Sequence, residues 1–445
     1  MKKPKVASFF AGIGGFDLGF EQAGFEVDFQ CEILPFCRSV LQHHWSGIPC
    51  ATDITSLHPD AVSEADVWCG GFPCQDLSVA RGSKGRHGLN GSRSGLFFRL
   101  AELAKIRKPR IILMENVHGL LNANNGKDFA ELLYTLSELN YAVSWRLLNS
   151  RYFGVPQSRP RIYICAWLNN PISAGNVLFE NRIPIPLKNE RAAFLSTSWQ
   201  QDAGPIPPKL AFCLAATSGR HTGTDWSRTY IPYIDAVRRL TPLECERLQG
   251  FPDHWTKLHL ADIDVEKSDS LRYHALGNAV SVAVVKWVAE RIREQLIMDA
   301  SSDLTFNTDK FIINSLEKWP VLHGSKMISN KLSAVRDSDE KAVWPNAGIV
   351  WQDTFIANGV YSSPCEPVHS DLIDIVERNK PDLRYFLSPN AAEGILRRVD
   401  SQNRHLFPHL RSALERLSER PVNKISNTNT ARQCEITLPG LLECV

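Results

Sequence analysis

The stretch VASFFAGIGGFDLGFEQAGFEVDFQCE, residues 6–32, decides the fold. Residues 6–10, VASFF, form an apolar run of strand type, and AGIGG then breaks it. An amphipathic stretch follows to Ala23, and Gly24 suits a helix C-terminus, where a left-handed residue is often needed. FEVDFQ reads as a second strand ending at Cys31 and Glu32. Strand, glycine turn, helix and strand make a backbone cradle. Glycines let the chain turn tightly and approach a ligand, and the helix N-terminus faces it. Glu32 lies 20 residues after Gly12, where a carboxylate can accept hydrogen bonds from both hydroxyls of a ribose. Asp53, in ATDIT, follows the next apolar segment and could reach an adenine amino group. A nicotinamide cofactor would use the same layout, but Asp17 stands where the third glycine of GxGxxG belongs.

The same rhythm runs outward from this unit. ADVWCGGF (65–72), PRIILMENV (109–117), VSWRLLNS (143–150) and RIYICAW (161–167) read as strands. LFFRLAELAKI (96–106) and FAELLYTLSELNY (129–141) read as helices. Alternation of this kind predicts an α/β domain with a mostly parallel sheet. From about 168 to 237 the rhythm stops and proline, glycine and threonine dominate, which predicts a small loop-rich lobe. It returns at RRLTPLECERLQGF (238–251). There Thr241 caps a helix, Pro242 fits its first turn, Glu244 completes a capping box and Gly250 ends it. YHALGNAV then leads into the amphipathic VSVAVVKWVAERI (280–292). The reading gives one domain from 1–167 and 238–293, a lobe at 168–237, a linker at 294–345 and a C-terminal accessory module at 346–445.

Bulk properties narrow the class. A chain of 445 residues exceeds one typical core. A net charge of +2 excludes nothing, since a nucleic-acid enzyme need be basic only along one groove. No apolar run reaches membrane-spanning length, and the lysine-led N-terminus runs into a glycine loop rather than a cleavage site. No membrane association is expected. The 11 cysteines include no CxxC pair, and Cys31/Cys37 and Cys69/Cys74 lack a zinc-knuckle spacing. That fits a reducing cytoplasm without disulfides, and no metal site is expected.

Three segments carry chemistry. In GGFPCQDLSVA (70–80), two glycines bend the loop and Pro73 stiffens it ahead of Cys74. At the carboxyl edge of a parallel sheet such a cysteine faces the ligand crevice. ILMENVHGL (112–120) puts Glu115 at the end of another apolar strand, where an ionised carboxylate is costly unless paired or functional. QSRPR (157–161) gives Arg159 and Arg161 on one side of an extended segment, each able to pair with phosphate or a carbonyl oxygen.

Together these segments resemble the DNA (cytosine-5)-methyltransferases of bacterial and phage type. FAGIGGFDLGFEQAGF is similar to that family's S-adenosylmethionine loop, GGFPCQDLSVA to its nucleophile loop and ENV to its glutamate motif. QSRPRIYICA is similar to the arginine motif, RRLTPLECERLQGFP to the late helix motif and HALGNAV to the closing motif. The motifs stand in family order over about residues 1–295.

The resemblance implies a Rossmann-like S-adenosylmethionine-dependent methyltransferase domain, a small target recognition lobe and a C-terminal accessory region. It implies that Cys74 adds to C6 of cytosine, that Glu115 holds the N3 proton, and that Arg161 with Arg159 binds the base carbonyl. For the cofactor it implies Phe10, Ala11, Gly12, Gly14, Gly15, Glu32, Asp53, Ile54, Pro73, Leu96 and Asn278. Gln75 and Ser78 are implied at the DNA strand, and Arg220, His221 and Arg228 of AATSGRHTGTDWSRTYI are candidates for phosphate or major-groove contacts. The basic, glycine-rich RGSKGRHGLNGSR (81–93) resembles a loop closing over DNA. The implied partner is double-stranded DNA read at a short sequence. The expected setting is a monomer in the cytoplasm of a bacterial or phage-infected cell, functionally paired with a cognate restriction endonuclease. Three other readings stay open on the same residues: a transfer-RNA methyltransferase, a silent DNA-binding regulator that keeps the fold, and an NAD-linked oxidoreductase.

Overall fold

A computed structural model describes residues 2–73, 95–182, 190–197, 204–219, 224–258, 264–299, 315, 317–323, 328–338, 340–379 and 381–419. In chain order the first half gives β1 (Lys5–Phe9), α1 (Gly15–Gln22), β2 (Glu26–Cys31), α2 (Pro35–His44), β3 (Cys50–Ala51), β4 (Val67–Gly70), α3 (Gly95–Arg107), β5 (Ile111–Val117), α4 (Lys127–Glu138), β6 (Tyr141–Asn149) and β7 (Pro160–Leu168). Next come α5 (Pro171–Leu178), α6 (Glu190–Leu195), β8 (Tyr230–Pro232), β9 (Val237–Arg239), α7 (Pro242–Gln249), α8 (Val265–Asn278) and α9 (Val282–Asp299). The last are β10 (Ile328–Lys331), α10 (Leu332–Asp337), β11 (Ala347–Trp351), β12 (Thr354–Asn358), α11 (Pro389–Ser401) and α12 (Pro408–Ser418).

β1 lies between β2 and β4, parallel to both, and β3 and β5 extend the parallel block on either side. The chain leaves β1 toward β2 and later returns to β4. The carboxyl ends of β1 and β4 therefore open a crevice at a topological switch point, where doubly wound sheets bind ligands. Gly70 is required at that edge, because a Cβ there would sit 2.2 Å from the Phe9 carbonyl oxygen. β4 and β6 are buried along their whole lengths, as expected of strands covered on both faces.

The sheet is mixed rather than mostly parallel. β7 runs antiparallel to both β5 and β6. Beyond β6 it continues antiparallel through β11, β12 and β10, completing ten strands. This also corrects the expected boundaries. α9 runs through the boundary at 293/294, and β10 and α10 fall inside the expected linker. β11 hydrogen-bonds to β6, so part of the C-terminal region belongs to the central sheet instead of forming a separate module. The buried Arg146 of β6 fastens this join by donating to the Leu178 carbonyl at 2.7 Å and the Ser363 carbonyl at 2.6 Å. The lobe also begins later than residue 168, since Ala174, Val177 and Leu178 of α5 are buried in the main core.

The last two helices pack away from the sheet. α11 and α12 lie on the β8–β9 hairpin around Tyr230, Val237, Ile395 and Leu414. The fully buried Asp225 accepts from Arg398 Nε at 2.9 Å and from the Tyr230 hydroxyl at 2.8 Å. Arg398→Ala strands that carboxylate with one neutral donor, and we expect a loss of about 2–3 kcal/mol. A urea titration reads it as a lower midpoint, and an unchanged midpoint would count against the bridge. No helix among the described residues is long and apolar enough to cross a membrane.

Candidate active site

The cofactor cradle forms where β1 ends. Phe10 takes a left-handed φ of 54°, Gly12 follows at 57° and Gly14 caps α1 at 83°. A Cβ built on Gly12 meets no atom within 4 Å, so the backbone there faces open space that a ligand can fill. Glu32, at the end of β2, is buried, and its oxygens accept from the Gly12 and Leu34 amides, each at 2.7 Å. Burial pushes its carboxyl above the usual range against the pull of those amides. Asp53 caps a short turn, accepting from Thr55 N at 2.8 Å, and leads into the buried Ile54. Ala11 is buried, while Pro73 and Leu96 are half-buried on the two sides of the segment 74–94. Asn278 is exposed at the end of α8. It precedes Val280, whose side chain packs on Gly15 so closely that a Cβ there would lie 2.8 Å away. Trp255 Nε1 donates to the Ile13 carbonyl at 2.8 Å, so the closing segments and the cradle are one structure.

Asp17 is a part of this cradle that the sequence flagged only as a mismatch. It is fully buried and accepts from Ser8 Oγ at 2.7 Å and Gln30 Nε2 at 3.0 Å, tying α1 to β1 and β2. Burial raises its pKa to about 6 from 3.8. A carboxyl raised in the folded state favours folding while neutral, and that contribution is lost as pH rises through the folded value. Relative to Asp17→Asn, the wild-type chain should therefore lose about 3 kcal/mol of stability between pH ~4 and pH ~7. Urea titrations of both proteins across that range test this, and parallel curves would contradict it.

Glu115 and Arg161 meet on β5 and β7, on the far side of β4 from the cradle. Glu115 stands at the end of β5 with only 8% of its surface exposed. Gly71 presses on it, since a Cβ there would lie 3.3 Å from Glu115 Oε2. Asn116 Nδ2 donates to the Phe72 carbonyl at 3.3 Å and fixes the same loop. Arg161, paired with Val117 across β5 and β7, brings Nε to 3.1 Å from Glu115 Oε1 in an ion pair. Burial pushes the Glu115 carboxyl up, and Arg161 and Arg159 offset part of that rise.

Arg159 has a different part from Arg161. Its buried guanidinium donates to the carbonyls of Leu214 at 3.0 Å, Gly277 at 3.1 Å and Ala279 at 2.7 Å. It clamps the lobe and the closing segment onto the arginine strand. The sequence reading missed Cys213. Its Sγ accepts from Arg159 Nη1 at 3.4 Å and Arg161 Nη2 at 3.7 Å. Burial pushes this thiol up, but the two guanidiniums outweigh it and hold it below its usual value. Arg228 is half-buried in the lobe and donates to Thr217 O at 2.7 Å and to its Oγ1 at 3.0 Å. Cys74, Gln75, Ser78, Arg220 and His221, like the basic loop 81–93, lie outside the described residues.

A raised carboxyl, a facing guanidinium and a cradle with room for a ligand share one crevice. Comparison with known proteins gives this arrangement a family. The model of C-5 cytosine-specific DNA methylases matches residues 4–197 and 193–294. The Bacillus subtilis (strain 168) type II methyltransferase M2.BsuMI is 33% identical over 309 residues, 65% of this chain and 75% of that protein. The Neisseria gonorrhoeae type II methyltransferase M.NgoBI is 33% identical over 306 residues, 63% of this chain and 90% of its own length. Among solved structures, the Entamoeba histolytica methyltransferase EhMeth superposes with a TM-score of 0.51 at 19% identity, covering 66% of this chain and 99% of that one, a likeness of fold. The match sets aside the NAD-linked reading of the cradle. The family model spans the cradle, Glu115 and the arginine strand in one run, and the chain belongs to the C-5 cytosine-specific DNA methylases, as a DNA (cytosine-5-)-methyltransferase.

Proposed function

We propose that this enzyme methylates C5 of a flipped-out cytosine within a short double-stranded DNA sequence, through a covalent bond between Cys74 and C6. The observation that carries the reading is the Glu115–Arg161 pair with Gly71 pressed against it. Gly71 stands three residues before Cys74 in the chain.

C5 of cytosine is a weak nucleophile. Addition of the Cys74 thiolate to C6 makes the ring enamine-like. Glu115, its carboxyl pushed up by burial, donates to N3 from its protonated form and accepts from the exocyclic amine, drawing electron density through the ring. Arg161 stabilises charge at the base carbonyl, and Arg159 holds the strand that aims it. S-adenosylmethionine supplies the methyl group, on a sulfonium, that C5 receives. Phe10, Ala11, Gly12, Gly14, Gly15, Glu32, Asp53, Ile54, Pro73, Leu96 and Asn278 would hold it, with Glu32 on the ribose. Water then takes the C5 proton, and the C6–S bond breaks to release Cys74.

The base must leave the stack, which costs a few kcal/mol. Gln75, Ser78 and the loop after them would offset that cost, and the lobe with Arg220, His221 and Arg228 would choose the sequence. We place the protein as a monomer in the cytoplasm of a bacterial or phage-infected cell, serving beside a cognate restriction endonuclease. The test is methyl transfer to unmethylated genomic DNA with 5-methylcytosine mapped base by base, and transfer RNA run in parallel. Methylation confined to one short motif is expected. Methylation of transfer RNA alone would overturn the DNA assignment.

A further inference from the structure

The C-terminal helix pair lies beyond residue 294, where the family match ends. Its packing shows what it belongs to. Leu387 N donates to the Val237 carbonyl at 2.8 Å, and Phe386 bridges to Arg238. Trp226, in the lobe, is gripped from the turn between α11 and α12. Its Nε1 donates to Gln402 Oε1 at 2.9 Å, and the Arg404 guanidinium lies 4.4 Å over its ring. Arg404 is exposed and makes no ion pair among the described residues. Its stem is therefore located by the indole while its charge is free for an outside anion.

The distance to the reacting groups is bounded by the chain. Cys213 touches Arg161, Thr217 lies four residues further on, and Arg228, two residues from Trp226, is hydrogen-bonded to Thr217. Four extended residues span at most about 14 Å. Adding the side chains bounds the distance from the Arg161 guanidinium to that of Arg404 at about 50 Å, about one and a half duplex turns.

We infer that residues 386–418 are the second half of the recognition lobe, and that Arg404, laid on Trp226, binds a backbone phosphate of the duplex whose cytosine enters the Glu115–Arg161 crevice. This rests on the proposed function, which puts DNA against the lobe. A free guanidinium with in-plane donors matches phosphate oxygens, and such a contact adds affinity without reading sequence.

The experiment uses the full chain and a duplex carrying the methylation motif found with wild type. For Arg404→Ala, the Kd should rise about 3–10-fold at moderate salt, and the slope of log affinity against log salt should flatten by about one. The methylated motif and kcat at saturating DNA should stay as in wild type. Arg404→Lys should restore the slope. Unchanged affinity and slope in a cooperatively melting Arg404→Ala would overturn the inference, as would a loss that Arg404→Lys does not repair. Failure of wild type itself to methylate or bind DNA would instead sink the proposed function, so the two failures are told apart.

Discussion

Cys74→Ser loses at least about three orders of magnitude in kcat while DNA affinity stays within a few-fold of wild type. The asymmetry comes from the chemistry. A hydroxyl at the same position fills similar space, but it is far less acidic than a thiol, and an alkoxide is not available near neutral pH. C5 then has no means of becoming enamine-like, whatever the cradle and the lobe contribute. Binding relies on groups outside residue 74 and has no reason to collapse. A duplex with fluorine in place of hydrogen at the target C5 gives a second readout. Release of Cys74 requires loss of a proton from C5, and fluorine cannot depart as a cation. Wild type should therefore remain covalently joined to the fluorinated strand, surviving denaturing electrophoresis, and Cys74→Ser should not. A Cys74→Ser protein with near-normal turnover, or wild type that releases the fluorinated duplex, would contradict the covalent route.

Much of the crevice was legible because its parts are local. A short apolar run before a glycine turn predicted β1, and the turn set α1. The Thr241–Glu244 capping box is present in both its bonds, with Gly250 at φ 83° closing the helix. Less legible were contacts between distant segments. Cys213 reaches arginines more than fifty residues away, and its own surroundings, AFCLAA, look like any half-buried loop. The sheet extension hid for a related reason. β10, ISNK, is an edge strand exposed at every position, so it shows no apolar alternation. β11 is buried throughout, and its partner β6 lies some 200 residues earlier. Asp17 shows a third limit. A motif mismatch says which residue is unusual, while its three-way tie among α1, β1 and β2 is visible only in the fold.

The pair at the heart of the crevice makes the second large prediction. Glu115→Gln should lower kcat by about 10²–10⁴-fold in a protein that still melts cooperatively. An amide can copy the hydrogen bonds to N3 and the exocyclic amine, but it has no proton to give as Cys74 attacks. The pH profile carries the sharper evidence. Wild-type kcat/KM should rise with pH as the Cys74 thiol ionises and fall again as Glu115 loses its proton. Burial is the larger influence on Glu115 and raises its pKa, while the Arg161 and Arg159 charges lower it. Removing Arg161 takes away the nearer of those charges. In Arg161→Ala the alkaline limb should therefore move to higher pH even as the maximal rate drops by about 10²–10³-fold. Arg161→Lys keeps the charge and should hold the limb near its wild-type position, with a smaller rate loss. Glu115→Gln should abolish the limb. A limb that moved to lower pH in Arg161→Ala would mean that Glu115 is not the group titrating there, and the proton would have to come from elsewhere in the crevice.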